Sequence, residues 1–226
     1  MGLGMRVTGR VMLLLALSVG IVFLPAGSWR FWQGWAFLAA MFLPAVFAFA
    51  YFFRYDRALV ERRLRNDEPV KEQKHLVRWA APLFLAAFLL PGFDHRLGWS
   101  QRLAGNVPTW LTAISLGMVA GGFLFVWWVL KVNSYAGRTI QVDAGQTVIS
   151  TGPYAWVRHP MYSGSVALWT FTPLALGSWV ALPAFLLLIP FYAIRLLNEE
   201  KVLRAELAGY SEYCATTRYH LIPFVW

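Results

Sequence analysis

Four stretches of the chain, residues 11–27, 31–53, 79–93 and 107–130, carry almost no charge. They approach or exceed the roughly 20 residues that a helix needs to cross a hydrocarbon core of about 30 Å. A fifth stretch, 161–197, is long enough for two passes and is interrupted by Pro173, Gly177, Ser178, Pro183 and Pro190. Breakers in that position read as the turn of a helical hairpin near residues 176–179. The pattern predicts an all-α integral membrane protein, a multi-span helical bundle of about six membrane helices with the last two forming the hairpin. No fixed-period repeat or low-complexity tract divides the chain, so residues 1–226 are expected to form a single membrane domain. Arg6 and Arg10 ahead of a short apolar run resemble a secretory leader, but residues 25–28 make a poor small-residue cleavage site, and the first helix is expected to stay uncleaved.

Composition agrees with a bilayer as solvent: 58% of residues are hydrophobic, 14% are charged, and the mean hydropathy is +0.52. Trp29, Trp32, Trp35, Trp99 and Trp110 suit the headgroup belts where amphipathic rings collect. The net charge of +9 does not point to nucleic acid, because the basic residues cluster between apolar spans with no recognition module beside them; membrane lipids are the expected partners. Eight of the 20 Lys and Arg fall within residues 54–78, which the positive-inside rule places in the cytoplasm. Counting crossings from a cytoplasmic N-terminus puts residues 131–160 and the C-terminal tail on that same side. Within the basic loop, residues 57–65 read as a short charged helix lying on the headgroups. The spacing of Gly117 and Gly121, followed by Gly122, predicts a close helix–helix approach in the fourth span. A lone Cys214 and scattered histidines (His75, His95, His220) offer neither a disulfide nor a metal site.

Beyond Lys131 the chain changes character. Residues 133–162 are polar, carry Gly137, Gly145, Gly152 and Pro153 as breakers, and include strand-like pieces at 139–142 and 147–150. The segment ends in Gly-Pro-Tyr-Ala-Trp-Val-Arg-His-Pro-Met-Tyr-Ser-Gly at 152–164, where Pro160 suits the first turn of the hairpin's entry helix. A second polar cluster, Arg195 to Lys201, lies where the return helix leaves the membrane. Arg195 and Glu199 share a face at i, i+4, while Glu200 points about 100° away. Adjacent carboxylates at the end of an apolar helix need partners or water. Because both clusters flank one hairpin, the fold is expected to bring them together.

These blocks, with the tail residues Tyr210, Tyr213, Arg218, Tyr219, Leu221, Ile222, Pro223 and Trp226, resemble the isoprenylcysteine carboxyl methyltransferase family, which includes bacterial relatives and phospholipid methyltransferases. The resemblance covers about 75 residues and rests on three ordered motifs; residues 1–130 share only their hydrophobicity and read as scaffold, leaving 131–226 as catalytic loop, hairpin and tail. It implies an S-adenosylmethionine site, with Tyr154, His159, Pro160, Tyr162, Gly164, Glu199 and Glu200 around the donor, and Arg158 and Arg195 as catalytic residues, one or the other holding a carboxylate by a two-pronged contact. Glu199 or Glu200, without a choice between them, would take the donor's ribose hydroxyls or ammonium group, and Tyr154, Trp156 or Tyr162 would lie against adenine or the sulfonium. The implied acceptor is a lipophilic small molecule or a lipidated substrate entering from the bilayer, with Asn133, Ser134, Tyr135 and Arg138 either lining its entrance or packing the loop. Sixteen Arg against four Lys in an Ala- and Leu-rich chain suggest a bacterial inner membrane, with both termini cytoplasmic. Rival readings are an NADPH-dependent membrane reductase of similar helical design, which would need cations around its phosphates, and a non-catalytic membrane interaction protein.

Overall fold

The computed structural model describes residues 3–64 and 70–226. Its described elements are helical: α1 (Leu3–Ala26), α2 (Trp32–Tyr55), α3 (Arg57–Leu64), α4 (Lys71–Leu97), α5 (Trp99–Ala104), α6 (Thr109–Val132), α7 (Pro160–Ala175), α8 (Leu182–Leu186), α9 (Ile189–Glu206) and α10 (Tyr210–Thr216). Five segments are long and apolar enough to cross a membrane: Val7–Ala26, Trp32–Tyr55, Glu72–Leu97, Thr109–Val132 and Leu182–Glu206, the last combining α8 and α9. The sixth expected span, α7, has 16 residues, or about 24 Å, short of a full crossing. It ends where Gly177 takes a left-handed φ of +72° and Ser178 donates its backbone N–H to Pro173 O. The hairpin turn therefore falls at the expected place.

Large apolar side chains on the outer helix faces, among them Leu13, Leu24, Leu43, Trp79 and Ile114, are exposed, as expected where lipid is the solvent. Inside, Val22, Phe23, Phe31, Phe37, Leu38, Val119, Leu168 and Leu176 join α1, α2, α6 and α7 in one core. The N-terminal part of α1, the end of α2, α3 and the end of α6 meet at one end of the bundle through Val7, Phe52, Leu59, Val60 and Leu130. The polar loop, the start of α7 and α10 gather at that same end.

Several expectations need correction. The pieces at 139–142 and 147–150 form no strand; the chain turns between them, where the Asp143 N–H donates to Gln146 Oε1 and the Gln146 N–H to Asp143 O. Residues 94–105, which separate the third and fourth uncharged runs, are largely helical, since α4 runs on to Leu97 and Gly98 at φ +65° turns directly into α5. The short charged helix exists as α3, with Arg65 outside the described residues, but it does not simply lie on headgroups. It buries Leu59 and Val60, and its Arg62 and Arg63 reach into the polar loop. The close approach of α6 is made by another glycine. A Cβ on Gly117 or Gly121 would meet nothing within 4 Å, whereas one on Gly122 would lie 2.8 Å from Leu168 Cγ, and one on Gly164 would lie 3.1 Å from Phe125 and Val126. The α6–α7 contact thus joins Gly122 to Gly164, one residue along the helix from the recognised pair and on a different face.

At the opposite end, buried Asp94 ties the hairpin turn to α4 and α5. Its carboxylate accepts the Ser100 N–H at 2.7 Å and the Ser178 hydroxyl at 2.5 Å, with the Ser100 hydroxyl as a further donor; Ser100 Oγ in turn accepts the Trp179 N–H at 2.9 Å. Replacing Asp94 by alanine leaves these donors buried and unpaired, and we expect a loss of about 3 kcal/mol, read as a lower unfolding midpoint in detergent. An unchanged midpoint would assign the turn's order to packing alone.

Candidate active site

The polar loop closes on a single side chain. Arg158 is buried, and all five of its guanidinium N–H groups have acceptors: Nε donates to Glu200 Oε1 at 2.6 Å, Nη2 to Glu200 Oε2 at 3.4 Å and to His220 Nε2 at 2.5 Å, and Nη1 to the carbonyls of Thr217 and Arg218 at 3.0 and 2.9 Å. The backbone repeats the connection, since the Arg158 and His159 N–H groups donate to Tyr219 O and His220 O at 2.8 and 3.0 Å. The entry turn, the return helix and the C-terminal tail are therefore fastened together. Burial holds the His220 pKa below its ordinary value, outweighing the pull of Glu200; the ring is neutral at pH 7 and accepts the Arg158 hydrogen. His159 Nε2 lies 3.2 Å from Glu200 Oε1 and 3.4 Å from Tyr210 Oη.

One helical residue back from Glu200, a second chain of bonds runs across the hairpin. Arg195 Nε donates to Tyr162 Oη at 3.0 Å, and the Tyr162 hydroxyl donates to Glu199 Oε2 at 2.6 Å. Arg195 also donates to Gln73 Oε1 on α4 at 3.2 Å and to Arg138 O in the loop at 2.7 Å. Glu200 faces the tail and Glu199 faces the loop, as their 100° offset predicts.

Between these groups lies a cavity of about 910 Å³. Its polar end is bordered by Asn133, Tyr135, Arg138, Tyr154, Arg158, His159, Tyr162, Arg195, Glu199, Tyr210 and Tyr213. An apolar gallery continues between α1, α2, α4, α6, α7 and α9, past Leu76, Ala80, Phe84, Phe88, Met41, Phe123, Leu168 and Phe191. Of the residues singled out from sequence, Tyr154, Arg158, His159, Tyr162, Arg195 and Glu199 border the cavity. Glu200, Pro160 and Gly164 stand behind its wall: Glu200 anchors Arg158, Pro160 starts α7, and Gly164 admits α6. Trp156 is exposed and meets Trp128 edge-on, away from the cavity. Ser134 gives its carbonyl to Arg62, so of the four loop residues weighed for the entrance it is the one that packs.

Burial raises the pKa of Tyr154, Tyr210 and Tyr213 above the ordinary phenol value, so all three remain hydroxyls at neutral pH. Tyr154 Oη accepts a bond from Asn133 Nδ2 at 3.0 Å, and the Tyr213 hydroxyl donates to Tyr154 O at 2.7 Å. The polar end thus combines aromatic faces, hydroxyl donors and one carboxylate, Glu199, which accepts the Tyr162 hydroxyl.

Two features escaped the sequence reading. Gln73 is fully buried beside Arg195, and Arg63 of α3 borders the cavity. The signal for Arg63 was available in the order Leu59-Val60-x-Arg62-Arg63, which puts a basic pair one turn from an apolar pair on a helix too short to span.

No curated protein matches the chain. Residues 110–208, which run from α6 through α9, match the model of the phospholipid methyltransferase family, which belongs to the isoprenylcysteine carboxyl methyltransferase-like membrane proteins.

Proposed function

We propose that the protein is an S-adenosylmethionine-dependent membrane methyltransferase acting on a lipophilic acceptor, a lipid or a prenylcysteine-like acid. The observation that carries this reading is the cavity itself, with a carboxylate and aromatic hydroxyls at its polar end and an apolar gallery leading away between the spans. Bound there, S-adenosylmethionine supplies an electrophilic methyl group on a sulfonium.

The residues fit such a donor. Glu199 offers a negative charge to a cationic ligand or its oxygens to ribose hydroxyls, and Tyr162 fixes its orientation. Tyr154, Tyr210 and Tyr213 present ring faces that favour a cation and hydroxyls that stay protonated. Positioning and exclusion of water are most of what methyl transfer by in-line displacement asks of a protein. An ionised carboxylate acceptor needs no general base. With its basic loop in the cytoplasm, the polar end opens on the side where the donor is made.

A nicotinamide dinucleotide would need several uncommitted cations close together for its phosphates, and the two arginines at the hairpin's polar turns are already taken. Arg158 spends its whole fork on protein acceptors, and Arg195 is committed to Tyr162, Gln73 and Arg138. Calorimetric titration of the purified protein in neutral detergent checks the choice. Saturable heat with S-adenosylmethionine and none with NADPH is the expected result; the reverse would make the protein a reductase, and no heat with either would leave it a non-catalytic membrane protein.

A further inference from the structure

Arg63 stands where the polar end of the cavity gives way to the gallery, on a helix that lies outside the family match. Its Nη1 donates to Ala136 O at 3.2 Å and approaches Met161 Sδ at 3.6 Å. Among the described residues its Nε and Nη2 make no hydrogen bond, and no carboxylate lies within ion-pairing distance. Arg158 and Arg195, by contrast, are held on both sides of their forks. Burial and the neighbouring Arg138 charge both work against Arg63's cation, lowering its pKa. Even so, a guanidinium stays protonated in any protein. A cation kept in such a place, bordering a cavity with its Nε and Nη2 donors not taken up by the described residues, calls for an anion that the chain itself does not provide.

We propose that Arg63 binds the anionic oxygen group, phosphate or carboxylate, of an amphiphilic acceptor whose apolar chain lies in the gallery. The inference rests on the methyltransferase reading and deepens it by naming what the acceptor must carry. A guanidinium edge matches two oxygens of one such group. The gallery wall on α4 from Leu76 to Phe88 is about 18 Å long at 1.5 Å per residue, which gives an extended chain room to lie along the helices. An acceptor anchored there places its headgroup beside Tyr154 and Tyr162, at the same end of the cavity as Glu199. Arg63 is then a specificity-determining residue, and α3 is part of the binding site.

The test uses three probes with the same twelve-carbon chain: dodecyl phosphate, dodecanoate and dodecanol. Their binding to delipidated full-length protein in neutral detergent is measured by native mass spectrometry. Wild type is expected to bind at least one of the two anions at least tenfold more tightly than the alcohol. Arg63→Met should abolish that preference, and Arg63→Lys should keep part of it. Preference for dodecyl phosphate identifies a phospholipid phosphate as the source, and preference for dodecanoate a lipophilic acid. Equal binding of all three by wild type, which requires no variant to fold, overturns the proposal, as does an undiminished preference in Arg63→Met. Wild type is titrated with S-adenosylmethionine alongside: no donor binding with an intact anion preference would remove the methyltransferase reading and leave the anion site standing.

Discussion

Replacing Arg158 by alanine is expected to lower the stability of the protein by about 3–5 kcal/mol, the cost of removing one partner from a buried ion pair. The side chain fills five acceptor positions drawn from α9 and the C-terminal tail, and its loss leaves Glu200 buried beside two histidines with the Thr217 and Arg218 carbonyls unpaired. Arg158→Lys should recover only part of this loss, because three hydrogens on one nitrogen cannot span the Glu200 carboxylate and the tail carbonyls together. Glu200→Gln should be destabilising for the same reason. The double variant Arg158→Ala/Glu200→Gln should cost clearly less than the two single effects added, since each single change already breaks the same unit. Thermal unfolding in detergent across the four proteins measures the cycle. Additive and small effects would mean that the tail is held by its backbone bonds alone.

The second large effect is on ligand binding, with stability spared. Glu199→Gln is expected to weaken S-adenosylmethionine binding 10- to 100-fold, equivalent to about 1.4–2.7 kcal/mol, while the unfolding midpoint stays near wild type. The amide keeps the shape of the side chain and can still accept the Tyr162 hydroxyl, so the change removes a charge from the cavity with little else. Tyr162→Phe should have a smaller effect in the same direction, by releasing Glu199 from its fixed orientation. Unchanged donor affinity in Glu199→Gln would move the donor away from this carboxylate. The neighbouring glutamates therefore separate by assay: Glu200 by unfolding, Glu199 by binding.

Much of this arrangement was legible in the chain. Long uncharged runs gave the spans, because a bilayer leaves few alternatives to helix. Pro173 and Gly177 marked the turn, and the two polar clusters met because one hairpin joins them. The different partners of Glu199 and Glu200 were not legible, since they depend on which neighbour packs against each face of α9: Tyr162 meets the one, and Arg158, held by the C-terminal tail, meets the other. The strand-like pieces at 139–142 and 147–150 misled for a related reason: β-branched residues in a loop pinned by side chains from α3 have no second strand to pair with. Gly122 was passed over in favour of the spaced pair Gly117 and Gly121 because spacing gives a face but not its neighbour. Arg63 lay in a segment that reads as a surface helix, and only the long-range contacts to Ala136 and Met161 turn it toward the cavity.

Where the donor sits is read most directly by photolabelling. Wild-type protein in lipid nanodiscs is irradiated with S-adenosylmethionine carrying a tritiated methyl group, digested, and its labelled peptides sequenced. Label confined to the turn at 154–162 and the segment 195–213, and competed away by unlabelled donor, is the predicted result. Competable label on the opposite end of the bundle, around Asp94 and Trp179, would contradict the account.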